Sequence, residues 1–286
     1  MKIPKRLLPL LEDGLIDDVV AQLKSGKEAD VYVVRCNDDI RCAKVYKEAN
    51  QRSFKQAVQY QEGRTERNSR KTRAMNKRTR FGQKEAEEAW LSAEVDALYR
   101  LAAAGVRAPK PYNFVDGVLI MELINGDDEQ AAPRLSEVSF SQEQAVTYHN
   151  QLMTEIVRML CAGLVHGDLS EFNVLIDASG PVIIDLPQAV NAAGNNNAQA
   201  MLERDVKNMR DYFSRYAPNL RSTQYGKEIW LHYESGTLSP NTTLTGQFEK
   251  DTTQANVSDV LEVIDDAFNE ELKRRIRKEL SDEDNN

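Results

Sequence analysis

The stretch from His166 to Asp185 constrains the fold and the chemistry of this chain more than any other part of its sequence. Asp168 is followed by Asn173, and a second aspartate, Asp185, closes a short apolar run. Within this stretch two β-rich runs flank a Gly180-Pro181 turn, and that pattern predicts a β-hairpin. Because a hairpin brings its two outer ends together, Asn173 and Asp185 are expected to be neighbours.

The order aspartate, asparagine, aspartate is typical of phosphoryl transfer from a metal-bound nucleotide. We predict that Asp168 orients and deprotonates a hydroxyl nucleophile, and that Asn173 and Asp185 hold the divalent metal ion. Any one of these residues alone is more often a turn or cap residue, but their combined spacing favours the chemical role. His166 is interpreted as a structural anchor of the loop, because Asp168 is the better placed proton acceptor.

The N-terminal part of the chain predicts an antiparallel sheet, after a short amphipathic helix in residues 1–14 that Pro9 breaks. Two β-rich segments flank a small polar turn, and that turn could cover phosphates with backbone N–H groups; an ordinary hairpin is the alternative. The turn residues predicted to bind the nucleotide are Ser25, Gly26, Lys27 and Glu28. In the third strand Lys44 lies among alternating apolar residues, so its ammonium group can reach an anion.

Residues 83–104 show the clearest helical pattern, which ends at Gly105. Glu94 falls on the same stripe as apolar residues such as Leu98, and a carboxylate on an apolar stripe needs a cation. We predict that Glu94 pairs with Lys44. Glu87, one turn earlier, is the reserve candidate.

The composition becomes helical after a second predicted hairpin, so residues 1–124 are predicted to form an N-terminal lobe and residues 125–286 a C-terminal lobe. A nucleotide base would lie in the crevice between the lobes, with linker backbone groups facing its edge. The predicted linker residues are Met121, Glu122, Leu123 and Ile124.

The C-terminal lobe is predicted to be mainly helical, with helices in residues 141–162, 200–216, 224–234 and 257–280 and an acidic tail in 281–286. Asp205 is expected either to brace the catalytic loop through backbone N–H groups or to be an ordinary acid of a first helical turn. Residues 186–197 predict a short loop instead of a long activation segment.

The charge of the chain is unevenly distributed around a net value of −8. Residues 64–84 contain nine basic residues and one acid, so an acidic body carries a basic segment. The surrounding residues, about 48–82, lack periodicity and are expected to be a flexible, solvated loop. The alternative is a contact between 64–84 and a polyanion, either RNA in a ribosomal particle or an acidic partner.

The three cysteines, Cys36, Cys42 and Cys161, lack metal-type spacing and are expected to be free thiols in a reducing compartment. No apolar run approaches the roughly 18 residues of a membrane span. We therefore expect a soluble, cytoplasmic protein with no membrane partner.

Three motifs resemble the RIO family of atypical serine/threonine protein kinases: SGKEADVY at 25–32, HGDLSEFN at 166–173 and IDLPQ at 184–188. The resemblance is strongest to the Rio-one-like branch in its bacterial type, because there is no room before Val19 for the winged-helix domain of the other main branch. It implies an α+β, bilobal protein-kinase-like fold. The expected parts are a small antiparallel sheet lobe with helix C, and a reduced helical lobe without an activation segment.

The resemblance also implies ATP with Mg²⁺ or Mn²⁺ as cofactors, and autophosphorylation on serine. By motif, Lys44 matches the phosphate-anchoring lysine and Glu94 its partner on helix C. Asp168 matches the catalytic aspartate, and Asn173 and Asp185 match the metal ligands. Some relatives act as ATPases in small ribosomal subunit maturation through a transient phosphoaspartate, for which Asp185 would be the acceptor.

Two other functions fit parts of this pattern. A small-molecule kinase of the aminoglycoside or choline type also has a His-Gly-Asp…Asn loop, although such enzymes insert a substrate subdomain where only about forty residues separate linker and loop here. A non-catalytic RNA-binding or assembly factor would depend on residues 64–84.

Overall fold

A five-stranded antiparallel sheet forms the N-terminal part of the computed structural model, which describes residues 3–47, 93–126 and 130–248. The strands are β1 (Asp18–Ser25), β2 (Ala29–Cys36), β3 (Asp39–Tyr46), β4 (Pro111–Val115) and β5 (Val118–Glu122), and their spatial order is β1-β2-β3-β5-β4. The predicted hairpins are confirmed, because β1 pairs with β2 and β4 with β5 in antiparallel register.

The two faces of this sheet serve different purposes. On one face, Tyr32 and Ala43 pack with Leu7 and Leu10 from the N-terminal helical segment. The other face carries Lys44, which contacts Glu94 of the next helix, since side chains alternate along a strand.

The N-terminal helical segment differs from its prediction at Pro9. A 3₁₀ turn over Lys5–Leu7 leads directly into α1 (Leu8–Glu12), and Pro9 lies in the first turn of that helix. A proline is compatible with this position because the first N–H groups of a helix have no intrahelical acceptor. Pro9 therefore starts the helix and does not break it.

Helix α2 comprises the described residues 93–103. Val95, Leu98 and Leu101 are buried in the large core, which gives this helix the apolar stripe that its sequence predicted. The first part of the predicted helix, including Glu87, lies outside the described residues.

Three helices make up most of the C-terminal part: α3 (Gln142–Cys161), α4 (Ala198–Phe213) and α5 (Tyr225–Glu234). Each confirms a prediction to within three residues at either end. Helix α3 begins with a reciprocal capping box between Ser141 and Gln144, and Gly163, with φ of +75°, follows its end. Leu152 and Leu160 place it at the centre of the core.

Four short strands complete the described fold: β6 (Leu164–Val165), β7 (Val174–Asp177), β8 (Gly180–Ile183) and β9 (Val190–Asn191). The predicted hairpin around Gly180-Pro181 is confirmed by the antiparallel pairing of β7 with β8. Strand β9 pairs with β6 and lies inside the segment that we predicted to be a loop. Its two residues carry too little β-pattern to be recognised without the partner strand.

The described residues up to Gln247 belong to one compact unit, so the proposed division into lobes at residue 124 stays a prediction. All three cysteines are free, as expected. In the described ranges, no helix is both long and apolar enough to cross a membrane. Four predictions concern residues outside the described ranges: a flexible loop at 48–82, a basic contact segment at 64–84, a helix at 257–280 and an acidic tail at 281–286.

Candidate active site

Lys44 connects two parts of the candidate site. Its Nζ lies 2.7 Å from Glu94 Oε1 and 2.9 Å from Asp185 Oδ1. Glu94 is only 2% exposed, so its charge is compensated inside the protein, as the position on an apolar stripe predicted. Burial lowers the pKa of Lys44, but the charges of Asp185 and Glu94 outweigh it and raise that pKa well above the ordinary value. The lysine is therefore held as an ammonium ion.

Tyr46 holds the second oxygen of the same glutamate. Its hydroxyl donates to Glu94 Oε2 over 2.6 Å, and the tyrosine is 1% exposed. Tyr46 follows Lys44 by two positions on β3, so both side chains lie on one sheet face. This contact was not predicted, although the Lys-x-Tyr spacing on a strand could have indicated it.

Asp185 faces the cleft from the end of the β7–β8 hairpin. Its side chain is 46% exposed, and its φ of +68° places it in the left-handed region that few non-glycine residues adopt. The charge of Lys44 lowers the pKa of Asp185 below its ordinary value against the opposing effect of burial. The carboxylate is thus ionised and partly accessible, as a metal ligand must be.

Asn173 lies beside Asp185, as the hairpin predicted. The two ends of the hairpin meet because Ile184 N donates to the main-chain oxygen of Asn173 over 3.0 Å. The Asn173 amide nitrogen donates to the main-chain oxygen of Asp168 over 2.9 Å. This bond uses the side-chain nitrogen of Asn173, so the side-chain oxygen stays available to a metal ion.

Asp168 is an exposed residue of the loop between β6 and β7. Its carboxylate accepts no hydrogen bond from any described residue, so it is available to a substrate hydroxyl. Desolvation, the larger effect, and the charge of Asp185 raise the pKa of Asp168, while the charge of Arg204 acts in the opposite direction. A raised pKa makes the carboxylate a better proton acceptor.

His166 is buried and anchors the loop, in agreement with its interpretation from sequence. Its Nδ1 accepts from the Asp168 amide over 3.2 Å, which requires that nitrogen to be unprotonated. The other nitrogen, Nε2, lies 3.1 Å from the Ile184 carbonyl and is therefore the donor. His166 thus ties the residue before Asp185 to the loop that carries Asp168.

Side chains of helix α4 hold the backbone of the same loop. Asp205 is 1% exposed and accepts from Gly167 N over 2.8 Å and from Leu169 N over 3.1 Å, so of the two alternatives the brace is correct. Arg204 donates to the Gly167 carbonyl, and Asn208 to the Leu169 carbonyl over 3.0 Å. These two contacts were missed, although 204, 205 and 208 lie on one helical face.

Arg107 connects the segment after α2 to the hairpin. Its Nη2 lies 2.7 Å from both carboxylate oxygens of Asp177, and its carbonyl accepts from Ile183 N over 2.9 Å. The hairpin that carries Asn173 and Asp185 is thereby fixed to the chain that follows helix α2.

The turn between β1 and β2 is closed by its own contacts. Ser25 Oγ donates to Asp30 over 2.6 Å, and Lys47 Nζ donates to the Gly26 carbonyl over 2.7 Å. The Gly26 amide donates to the Ala29 carbonyl over 2.9 Å, which removes it from the groups predicted to face a phosphate. Nucleotide binding by Ser25, Gly26, Lys27 and Glu28 stays a prediction.

The predicted linker begins on β5, where Met121 lies opposite Cys42 and Glu122 opposite Arg41. Ile124 differs from the others because it is buried with Ala132 and Val182, and its carbonyl accepts from Ala132 N over 2.8 Å. Its position indicates a packing role, whereas contacts of Met121, Glu122 and Leu123 with a base stay predictions.

The donor set fits a metal held jointly with a nucleotide. Within the described ranges no group of three His, Cys, Asp or Glu side chains could hold a metal ion alone. Mg²⁺ in phosphoryl-transfer sites is usually bound by one or two carboxylates together with substrate phosphates and water. The Asp185 carboxylate and the Asn173 amide oxygen supply such an incomplete set.

The family follows from a comparison with known proteins. A model described as the RIO domain matches residues 30–225 of this chain. The chain belongs to the RIO family. Its five-stranded sheet and helices are consistent with the α+β, kinase-like fold of RIO domains, which confirms the expected fold class.

The curated relatives of this RIO protein include archaeal and eukaryotic kinases. RIO-type serine/threonine-protein kinase Rio1 of Haloferax volcanii is 38% identical over 207 residues, which cover 72% of this chain and 67% of the relative. Serine/threonine-protein kinase RIO1 of Homo sapiens is 32% identical over 213 residues, or 74% of this chain and 36% of the relative. Serine/threonine-protein kinase rio1 of Schizosaccharomyces pombe is 30% identical over 214 residues, or 73% of this chain and 41% of the relative. The chain therefore spans well under half of these two eukaryotic relatives.

Proposed function

We propose that this RIO protein is an ATP-dependent serine/threonine protein kinase that uses Mg²⁺ or Mn²⁺. One observation carries the proposal: Lys44 contacts Glu94 and Asp185 at once, and Asp185 adjoins the loop that presents Asp168 and Asn173. Family membership supports the use of ATP and a divalent metal in general. The specific residue roles are our inference from the geometry.

The reaction assigns one task to each group. The substrate hydroxyl oxygen forms a bond to the γ-phosphorus of ATP, the bond between that phosphorus and the β–γ bridging oxygen breaks, and ADP leaves. Asp168 orients the hydroxyl and accepts its proton. Lys44 positions the phosphates, and Asp185 and Asn173 would hold the metal ion, which neutralises the charge that develops on the phosphates.

The rigidity of the loop follows from its contacts. Asp205 and Arg204 fix the backbone on either side of Asp168, and His166 fixes it to the strand before Asp185. Positioning of this kind is the main contribution of a protein to phosphoryl transfer.

A protein hydroxyl, including one on this chain, is the proposed acceptor. The described residues between the linker and the catalytic loop form a 3₁₀ turn and helix α3, which leaves no inserted substrate subdomain in 130–165 of the kind small-molecule kinases use. A cytoplasmic location stays a proposal from composition, and an ATPase cycle through Asp185 stays one from the resemblance. A ribosomal contact through residues 64–84 also stays a proposal, because that segment lies outside the described residues.

The test uses purified protein and ATP labelled at the γ-phosphate. We expect self-labelling in wild type, strongly reduced labelling in Asp168→Ala, and loss of metal-dependent turnover in Asp185→Ala. Asp211→Asn, on the exposed side of α4, is the matched control and should behave as wild type. Unchanged ATP turnover in Asp185→Ala would overturn the metal assignment, and label transfer to an aminoglycoside or choline without self-labelling would favour a small-molecule kinase.

A further inference from the structure

A second lysine lies on the cleft face of the sheet. Val31 of β2 lies opposite Lys24 of β1 on one side and opposite Lys44 of β3 on the other. Residues paired across an antiparallel sheet project to the same face, so the two lysines and Val31 form one cross-strand row. With neighbouring strands about 4.8 Å apart, the two lysine backbones are roughly 10 Å apart.

The two lysines differ in their surroundings. The Lys44 ammonium is engaged by Glu94 and Asp185, whereas Lys24 is exposed and forms no hydrogen bond or ion pair with any described residue. Desolvation and the charge of Arg134 lower the pKa of Lys24, and the charges of Asp185 and Glu137 act in the opposite direction. Lys24 is therefore within electrostatic reach of the predicted metal ligand.

Arg134 lies beside strand β7 of the hairpin that leads to Asp185. Its main chain forms an antiparallel bridge with Leu175 of β7, and the adjacent Pro133 carbonyl accepts from Ile176 N over 2.9 Å. Strand β7 starts directly after Asn173, so Arg134 lies next to the segment that carries the second predicted metal ligand. The charge of Arg134 lowers the pKa of Lys24, so the two cations repel each other, and an anion between them would remove that repulsion.

We propose that Lys24 is a second phosphate-binding lysine, which together with Arg134 holds the polyphosphate of the nucleotide at the mouth of the cleft. This inference rests on the proposed binding of ATP in the same cleft. The ligand is a nucleoside di- or triphosphate, because Lys24 lies in one row with Lys44, whose ammonium contacts Asp185. Nucleosides and monophosphates place less negative charge between the two cations.

The test is a set of dissociation constants for ATP, ADP and AMP with Mg²⁺, measured by calorimetry on wild type, Lys24→Gln and Lys24→Arg. Lys24→Gln removes a charge-assisted contact to a phosphate, so this variant should bind ATP about tenfold more weakly than wild type. AMP binding should change less than twofold, and Lys24→Arg should recover most of the loss. Arg134→Gln should also weaken ATP binding, and the double variant should show less than the product of the two effects.

Lys5→Gln is the control, because it removes the same charge from an exposed residue. Lys5 belongs to the segment that packs against the opposite sheet face. The proposal is overturned if Lys24→Gln binds ATP within twofold of Lys5→Gln, or if it loses AMP and ATP equally. A wild-type protein that binds no ATP would overturn the proposed function and this inference together. Wild-type binding with an unaffected Lys24→Gln would overturn this inference alone.

Discussion

Replacing Tyr46 by phenylalanine removes one hydroxyl group from the interior of the candidate site. That hydroxyl donates to Glu94 Oε2 over 2.6 Å, and burial raises the pKa of Tyr46 well above its ordinary value, so the proton stays on the tyrosine. The ring itself, in edge contact with Phe114, fits the same space as phenylalanine. The variant therefore isolates one hydrogen bond to a buried carboxylate.

The magnitude follows from the burial of the acceptor. A hydrogen bond to a charged group contributes about 1.5–3 kcal/mol, and leaving a buried oxygen without its donor costs a similar amount. We expect the free energy of unfolding of Tyr46→Phe to fall by about 2 kcal/mol, which for a protein of this size lowers Tm by roughly 4–8 °C. Since Glu94 Oε1 positions Lys44, kcat/KM for ATP should fall as well.

The measurement is urea unfolding of the variant beside Tyr112→Phe. Tyr112 is on the same sheet, is 39% exposed and stacks with Arg41 through its ring face, which phenylalanine preserves. The chemical change is identical, but no buried acceptor loses its donor. If the two variants have the same free energy of unfolding within about 0.5 kcal/mol, the hydroxyl does not stabilise Glu94 and the reasoning is refuted.

Two further predictions concern acids of the catalytic loop and its brace. Asp205→Asn should lower kcat about tenfold or more with little change in the KM for ATP, because an amide cannot accept from both loop amides; Asp211→Asn is the control on the same helix. Desolvation raises the pKa of Asp205 from 3.8 to about 6, so the contribution of this carboxyl group to stability falls as pH rises from 3.8 to about 6. Over that range the unfolding free energy of wild type should fall relative to that of Asp205→Asn. For Asp168, whose pKa is also raised, the acidic limb of the kcat/KM profile, which reports the free enzyme, should lie above pH 3.8; a limb at or below that value contradicts its role as the proton acceptor.

Much of the fold could be predicted because its signals are local. The Gly180-Pro181 turn, the Ser141 capping box and the apolar stripe of Leu98 and Leu101 each act over a few neighbouring residues. The short strand β9 could not be predicted, because a two-residue strand exists only through its partner β6. Pro9 was misjudged because its effect depends on whether it lies in the first turn of a helix or further inside.

The amino-acid sequence alone indicated the candidate residues for the chemistry, since Asp168, Asn173 and Asp185 lie within one hairpin and loop. It also indicated Lys44 and Glu94, because a buried carboxylate requires a nearby cation. Only the tertiary structure decided that Tyr46 shares Glu94, that Arg204 and Asn208 join Asp205, and that Lys24 lies in the row of Lys44. Such contacts depend on strand register and on which helical face meets the loop. Both arise from contacts between residues far apart in the chain, so the local sequence does not encode them.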